Sequence, residues 1–244
     1  MAIPILMYHN VAEVPEGLHP DGRCLYVTPA AFAAQMALLR RVGYRGVSMS
    51  AAMPYLRGER RGRVAAITFD DGYLDNLENA LPVLQRHGFS ATCYVVNDCI
   101  GEYNLWDTQR LGVQKPMMSA AQLHAWRDGG MEVGAHTRTH PHLTRCSDAQ
   151  LQDEIVSGKA ELEGLLGSPV TQFCYPYGDA DARVAEVVRQ AGFTASPTVR
   201  RGRARRSTDP YALPRVAIDN ADSLVHFAIR TFTPFEDWRA RASG

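Results

Sequence analysis

The chain alternates short runs of apolar residues with longer stretches in which apolar residues recur every three or four positions. The first pattern is typical of buried strands and the second of amphipathic helices. Strands are predicted at 3–9, 64–69, 90–96, 131–136, 170–176, 193–199 and 213–218. Helices are predicted at 28–43, 76–88, 119–130, 148–167, 180–192 and 221–232, with a loose segment at 98–117.

Two of the predicted helices begin at recognisable caps. Thr28 precedes a proline at the first helical position, and Ser119 precedes the helix that follows the loose segment. Hydroxyl side chains at these positions accept hydrogen bonds from the first free N–H groups of a helix. These caps support the predicted starts of both helices.

Strands that alternate with helices indicate parallel strands joined by helical crossovers. About seven such units favour a closed barrel over a short open sheet. No internal repeat or linker interrupts the 244 residues, which suit one large domain. We therefore predict an α/β fold, a (β/α) barrel of about seven parallel strands, with residues 1–244 as a single catalytic domain.

The balance of charges narrows the possible partners. Lys+Arg and Asp+Glu number 26 each, so no net charge attracts the chain to nucleic acid or to an anionic membrane. The longest apolar runs are shorter than the roughly 20 residues that a membrane-spanning helix needs. The one biased segment, RRGRARR at 200–206, is interpreted as a solvated loop, with a phosphate-contacting patch as the alternative.

Cysteine usage and the first residues bear on location. The five cysteines are scattered with no C-x-x-C pair, which favours reduced thiols over a disulfide framework. The opening MAIPILMYHNV shows no signal-peptide pattern. A cytoplasmic location is expected, with action at the membrane surface as an alternative. The sequence predicts no particular oligomeric state.

Titratable residues follow several of the predicted strands. In (β/α) barrels, the carboxyl ends of the strands meet at one rim, which carries the active site. Independent strands that end in such residues are therefore predicted to converge there. The residues at these strand ends are Asp70, Asp71, His136, His140, His9 and the YPYG sequence at 175–178.

Each of these features has a simpler explanation when taken alone. An Asp-Asp-Gly sequence forms turns. The H-x-x-x-H spacing predicts two imidazoles on one face of a helical turn, as a metal requires, but two histidines at this spacing also occur by chance. An isolated His9 is more often structural. Together, one Asp and two His give three ligands and leave a coordination position for water, as in catalytic zinc sites. The second Asp can then serve as general base, because the cation offsets the repulsion between the neighbouring carboxylates.

Three sequences, TFDDG at 68–72, HTRTH at 136–140 and YPYG at 175–178, resemble the polysaccharide deacetylases of carbohydrate esterase family four. The resemblance covers most of the chain. It implies a distorted (β/α) barrel of seven strands. It also implies metal-dependent removal of N- or O-acetyl groups from an acetylated carbohydrate. The implied cofactor is zinc, with Co²⁺, Ni²⁺ or Mn²⁺ as alternatives.

The resemblance also assigns roles to individual residues. Asp70 matches the catalytic base, and the backbone N–H of Tyr177 matches the group that faces the oxyanion. Pro176 matches a residue that forms one wall of the substrate groove. Thr137 matches a residue that stabilises the loop after the first histidine. The residues that match the metal ligands are Asp71, His136 and His140.

Two departures from the family pattern matter. Cys174 occupies the place where many members carry an arginine that contacts the catalytic base, and Arg215 is a candidate replacement. The late histidine that acts as general acid is also missing, since His226 lies in a predicted helix. The corresponding pattern appears at the front as ILMYH, which resembles a circularly permuted subgroup of biofilm-polysaccharide deacetylases and assigns the acid role to His9.

Aromatic residues near the predicted rim are candidates for stacking on sugar rings: Tyr73, Tyr103, Trp106 and Tyr177. Asp107 is a weaker candidate for a substrate contact, whereas Trp126 lies within a helix and is expected to pack in the core. The predicted function is removal of an N-acetyl group from an amino sugar in a glycan. The alternatives are hydrolysis of a small cyclic amide on the same scaffold and an inert carbohydrate-binding module.

Overall fold

Within residues 2–242, which the computed structural model describes, seven parallel strands form one sheet and two short strands form a separate pair. The order of the large sheet is β7-β6-β5-β1-β9-β8, and β4 also pairs with β5. The strands are β1 (Ile5–Tyr8), β2 (Asn10–Val11), β3 (Tyr26–Val27), β4 (Arg45–Val47), β5 (Val64–Phe69), β6 (Thr92–Val95), β7 (Glu132–Ala135), β8 (Pro197–Arg201) and β9 (Leu213–Ala217).

Isolated bridges continue this sheet from β7 towards β8. Ala135 pairs with Phe173, and Gln172 pairs with Ala195, both in the parallel sense. Strand β1 lies between β5 and β9, with Leu6 opposite both Ile67 and Val216. The predicted barrel of parallel strands is therefore confirmed, although the sheet narrows to single bridges between β7 and β8.

The helices pack against the sheet. The α-helices are α1 (Pro29–Arg41), α2 (Met49–Leu56), α3 (Leu81–His87), α4 (Thr108–Leu111), α5 (Ala120–Asp128), α6 (Asp148–Leu151), α7 (Gly158–Leu166), α8 (Ala182–Gln190), α9 (Leu224–Phe232) and α10 (Phe235–Ala242). Two π-helical turns occur at Asn76–Ala80 and Gln152–Ser157, and 3₁₀ turns at Pro20–Leu25, Asn97–Cys99, Leu143–Arg145, Pro176–Gly178 and Pro210–Ala212. Among residues 2–242, no helix is both long and apolar enough to cross a bilayer.

Several predicted elements differ from the structure. The predicted strand at 170–176 is not a continuous strand. It forms only the two isolated bridges just described, at Gln172 and Phe173. The predicted helices at 76–88 and 148–167 are confirmed as helical, but a π turn interrupts each of them. Strand β4 and helices α2 and α10 were not predicted.

The side chains of the strands form two layers of core. Odd-numbered residues of β5 pack outwards, where Phe69 meets Trp126 of α5 edge-to-face with ring centroids 5.8 Å apart. Even-numbered residues, Val64 and Ala66, point inwards and pack with Ile5 and other interior residues. Trp126 is fully buried, which confirms its predicted packing role.

The RRGRARR segment is largely solvated, in agreement with its interpretation as a solvated loop, although its first two residues end β8. Arg200, Arg201, Arg205 and Arg206 are exposed, whereas Arg203 is partly buried. Arg203 and Arg205 both hydrogen-bond the carboxylate of Asp237 in α10. Between them, Ala204 pairs with Ile3, which precedes β1, so residues 203–205 lie near the end of the barrel opposite the rim.

Candidate active site

The alternation of side chains along the strands delivers Asp70 to the interior of the barrel. Val64 and Ala66 of β5 face inwards, and in a strand every second residue shares a face. Thr68 and then Asp70 continue this inward row at the carboxyl end of the strand. Asp70 is buried, and its backbone N–H bonds the carbonyl of Tyr8 in the neighbouring strand.

Asp71 faces the same site because its backbone breaks the alternation. Its φ of 78° is left-handed, a conformation that residues other than glycine rarely adopt. Its carboxylate oxygen Oδ1 lies 3.5 Å from Nε2 of His136 and 3.5 Å from Nε2 of His140. Both neighbouring carboxylates therefore reach one opening.

Strained backbone is concentrated around this opening. Within residues 2–242, all four non-glycine residues with positive φ lie here: Asp71, Thr137, His140 and Tyr177. Such conformations persist where surrounding contacts impose them, and they cluster at functional sites. The predicted helical turn between the two histidines is therefore wrong, since residues 136–140 form an irregular loop. A hydrogen bond from the His140 N–H to Thr137 Oγ1 (3.0 Å) holds this loop, as predicted for Thr137.

A hydrogen bond at Nδ1 places a proton on this nitrogen of His136. Nδ1 lies 2.7 Å from the backbone carbonyl of Cys174, and because a carbonyl only accepts, Nδ1 carries the proton. Nε2 faces Asp71, and its lone pair is available to a cation once this nitrogen is deprotonated. A hydrogen bond of this kind orients metal-bound histidines in many proteins.

His140 also presents a lone pair. Its burial and the nearby His136 lower the pKa of His140 to about 3, so the imidazole is neutral at pH 7. Burial opposes ionisation of Asp71, but a hydrogen bond with His136 holds the pKa of Asp71 well below the usual range. Three buried ligand atoms, from Asp71, His136 and His140, thus lie within 4.8 Å of one another. This donor set fits a divalent cation.

Arg215 supplies the contact that Cys174 cannot make. Its Nη1 and Nη2 donate to the two oxygens of Asp70 at 2.7 and 2.6 Å, and all three side chains are buried. Burial alone would raise the pKa of Asp70, but the Arg215 guanidinium holds it below its ordinary value. Burial raises the pKa of the Cys174 thiol, so Asp70 is the group that balances the charge of Arg215.

His9 lies on the open side of the same carboxylate. Its Nε2 is 4.0 Å from Asp70 Oδ2, and 18% of its side chain is exposed. Asn76, in the first π turn, donates from its side-chain amide to the backbone carbonyl of His9 (2.8 Å) and fixes this end of β1. The structure therefore places His9 where a group bound above Asp70 would contact it.

The YPYG sequence forms one wall of the opening. Tyr177 is 41% exposed, whereas Pro176 before it is buried. Gly178 follows with a φ of 68°, and a Cβ at this position would lie 2.5 Å from Val199. Glycine is therefore required to bring this turn against β8.

The aromatic candidates separate into different groups. Tyr73 is only 1% exposed and packs with Cys99 and Met117, so its predicted stacking on a sugar is wrong. Trp106 stacks on the ring of His140, with centroids 4.6 Å apart. Tyr103, in contrast, is exposed on the same loop.

Other residues that support the site were not predicted. Glu154, in the second π turn, accepts hydrogen bonds from the backbone N–H groups of Arg138 and Thr139, both at 2.9 Å. Its carboxylate therefore holds the loop between the two histidines. Asp179 likewise binds the backbone N–H of Thr144 at 3.0 Å. No sequence signal identifies these contacts, because each joins residues that are distant along the chain.

Comparison with known proteins places this geometry in a family. A family model described as Polysaccharide deacetylase matches residues 57–196, more than half of the chain. YxkH of Bacillus subtilis, which carries the family's name, is 28% identical over 218 residues, or 88% of this chain and 71% of that protein. Poly-beta-1,6-N-acetyl-D-glucosamine N-deacetylase of Escherichia coli K12 is 24% identical over 262 residues, and the match spans 93% of this chain but only 38% of that protein.

A solved structure shares both the fold and part of the sequence. IcaB from Ammonifex degensii superposes with a TM-score of 0.76 at 26% identity, covering 94% of this chain and 97% of that one. The chain belongs to the polysaccharide deacetylase family, a family of metal-dependent hydrolases.

Proposed function

We propose that this protein removes acetyl groups from an acetylated glycan, most readily the N-acetyl group of an amino sugar in a poly- or oligosaccharide. One observation carries the proposal: two adjacent buried carboxylates have separate partners at one opening. Asp71 faces His136 and His140, whereas Asp70 faces Arg215 and His9. A ligand set and a general base thus lie side by side.

We assign the cation to Asp71, His136 and His140. Two imidazoles and one carboxylate are the donors of many catalytic zinc sites, so Zn²⁺ is the proposed ion and Co²⁺, Ni²⁺ and Mn²⁺ are alternatives. A divalent ion held there would polarise the acetyl carbonyl and lower the pKa of water.

The remaining residues supply proton transfer and orientation. Asp70, kept ionised by Arg215, takes a proton from the attacking water. His9, on the exposed side of Asp70, gives a proton to the leaving nitrogen. We assign the backbone N–H of Tyr177 to the oxyanion, which a backbone donor would stabilise. Each of these roles is a proposal that the positions of the side chains support.

The shape of the rim favours a glycan over a small cyclic amide. The side chains of Tyr103, Leu105 and Tyr177 are 44%, 59% and 41% exposed, so no part of the chain within residues 2–242 closes over them as a lid. Exposed aromatic and apolar groups are suited to the apolar faces of sugar rings. The named relatives, YxkH and the Escherichia coli deacetylase, also point to a polysaccharide substrate. The inert binding module is disfavoured, because the base and all three ligand side chains are present. The cytoplasmic location remains a prediction.

Acetate release from N-acetylglucosamine oligomers of increasing length tests this function. We expect activity with the oligomers, loss of activity after treatment with a chelator, and recovery with zinc. A small cyclic amide assayed in parallel is expected to be a poor substrate. Turnover by protein shown to be free of metal, or turnover of the cyclic amide alone, would contradict the proposal.

A His9→Ala variant is expected to lower kcat for acetate release by about 10²-fold or more, because the leaving group loses its proton donor. Zinc content should stay equal to that of the wild type, since His9 lies outside the ligand set. A His19→Ala variant, which changes an exposed histidine with a surface partner, serves as the matched control. Equal activity of the His9→Ala variant and the wild type would remove His9 from the mechanism.

A further inference from the structure

The two histidines of the proposed ligand set are held in different ways. Nδ1 of His136 donates to the carbonyl of Cys174, as described above. Nδ1 of His140 is buried and, within residues 2–242, has no hydrogen-bond partner. A histidine that binds metal usually donates its other N–H to an acceptor, which fixes the orientation of the ring. His140 lacks this support.

Two aromatic rings contact His140 instead. Trp106 stacks on it with centroids 4.6 Å apart and an interplanar angle of 25°. Tyr177 meets it edge-to-face, also at 4.6 Å, with an angle of 73°. Packed rings restrict both the tilt and the rotation of an imidazole, since stacking and edge contacts have preferred geometries.

Trp106 is itself held in place, although its loop was predicted to be loose. Asn104 is buried, and its side-chain oxygen accepts the backbone N–H of Lys115 at 2.6 Å. Lys115 in turn lies 3.2 Å from the carboxylate of Asp75. These contacts join the two ends of the loop at Asn104 and Lys115. Asn104 lies two residues before Trp106, so the backbone that carries Trp106 is held at this point.

Tyr177 is supported from its other side. The ring of His142 stacks on it, with centroids 4.2 Å apart and an interplanar angle of 19°. The Asp179 carboxylate lies 3.7 Å from Nδ1 of His142 and binds Thr144, so the two loops that carry these rings are joined. Both aromatic neighbours of His140 are thus fixed by contacts of their own.

We propose that Trp106 and Tyr177 are positioning residues that hold the ring of His140 for the cation by packing, the role that a hydrogen bond plays for His136. This inference rests on the proposed ligand set of Asp71, His136 and His140. It assigns Trp106 a role different from the predicted stacking on a sugar. One face of its ring is already occupied by His140.

Zinc affinity tests the proposal directly, without reference to catalysis. Zinc dissociation constants are measured on metal-free protein by competition with chelating dyes of suitable affinity. Trp106→Leu is expected to weaken zinc binding about tenfold, the lower end of the effect of losing an orienting contact. Trp106→Phe retains a ring and should keep most of the affinity. Trp238→Leu, which alters an exposed tryptophan, is the matched control and should bind as the wild type does.

A double-mutant cycle shows whether Trp106 acts through His140. In a His140→Ala background, zinc binds more weakly, and adding Trp106→Leu should cause no further loss. In a His136→Ala background, adding Trp106→Leu should still weaken binding. Melting temperatures in excess chelator separate a general loss of stability from a loss of metal affinity. If Trp106→Leu does not fold, Tyr177→Leu takes its place in the same cycle.

The outcomes discriminate clearly. Equal zinc affinity of the Trp106→Leu and Trp238→Leu variants would overturn the inference, as would a full effect of Trp106→Leu when His140 is absent. Failure of the wild type to bind zinc would instead overturn the ligand set on which the proposed function depends.

Discussion

Asp70→Asn is expected to lower kcat for acetate release by about 10²- to 10⁴-fold, the range for loss of a general base. An amide cannot take the proton from water, whereas the three proposed ligands, Asp71, His136 and His140, remain in place. Zinc content should therefore match that of the wild type. Acetate release and elemental analysis on the same preparation measure the two effects.

The main complication is stability, because the Asn variant leaves the buried charge of Arg215 without a counterion. An unpaired buried charge costs about 3–5 kcal/mol. The double variant Asp70→Asn, Arg215→Met removes both charges and should recover much of that loss while staying inactive. Near-normal turnover by a folded Asp70→Asn variant would show that the general base lies elsewhere.

Arg215→Met is expected to destabilise the fold by about 3–5 kcal/mol near neutral pH and to shift the acid limb of the kcat/KM profile to higher pH. Arg215 donates to both oxygens of Asp70 and keeps its pKa low against the effect of burial. Without Arg215, burial would raise the pKa of Asp70 and the base would be protonated over a wider range. Urea unfolding and pH–rate profiles measure the two effects.

The sign of the pH dependence follows from the lowered pKa of Asp70. A carboxyl group with a lower pKa in the folded state stabilises the fold above its unfolded pKa of about 3.9, and this stabilisation disappears as the pH falls through the folded value. The difference between wild type and the Arg215→Met variant should therefore be largest near neutral pH and shrink in acid. A constant difference across this range would contradict the assigned pairing.

Two further variants sharpen this experiment. Arg200→Met changes an exposed arginine that donates to the backbone carbonyl of Ala212, and it should leave the acid limb unchanged. Cys174→Arg in the Arg215→Met background returns a guanidinium from the neighbouring segment, since Cys174 Sγ lies 3.7 Å from Asp70 Oδ2. We expect partial recovery of the wild-type profile. An unchanged profile in Arg215→Met itself would show that Asp70 does not depend on this contact.

Much of the barrel could be predicted because its strands follow simple rules. The apolar run at 64–69 coincides with β5, and the predicted caps Thr28 and Ser119 both accept hydrogen bonds from the helices that follow them. Strand β4 was missed because three residues give no detectable period. Helix α2 contains Pro54, which normally argues against a helix. The two π turns were not predicted, because the apolar residues around them were interpreted as belonging to one continuous helix in each case.

The residues of the site could be predicted where titratable residues follow the strands. They could not be predicted where contacts between distant parts of the chain determine the position of a side chain. Asp70, Asp71 and the two histidines could be placed at one rim because parallel strands end there together. The burial of Tyr73 and the stacking of Trp106 depend on how the loop at 98–117 folds back, which composition does not encode. The left-handed backbone of Asp71 was also hidden, since the glycine beside it is the residue expected to adopt that conformation.

The second π turn, at Gln152–Ser157, changes the directions in which side chains leave the helix. A π turn contains one residue more than the same stretch of α-helix, and each residue advances the helix by about 100°. Leu151 before the turn and Leu162 after it both reach the core, while Glu154 between them faces the histidine loop. A regular α-helix that kept this residue would rotate one flank against the other by about 100°. Either the carboxylate or a core leucine would then face the wrong way, so the wider turn is what allows both contacts.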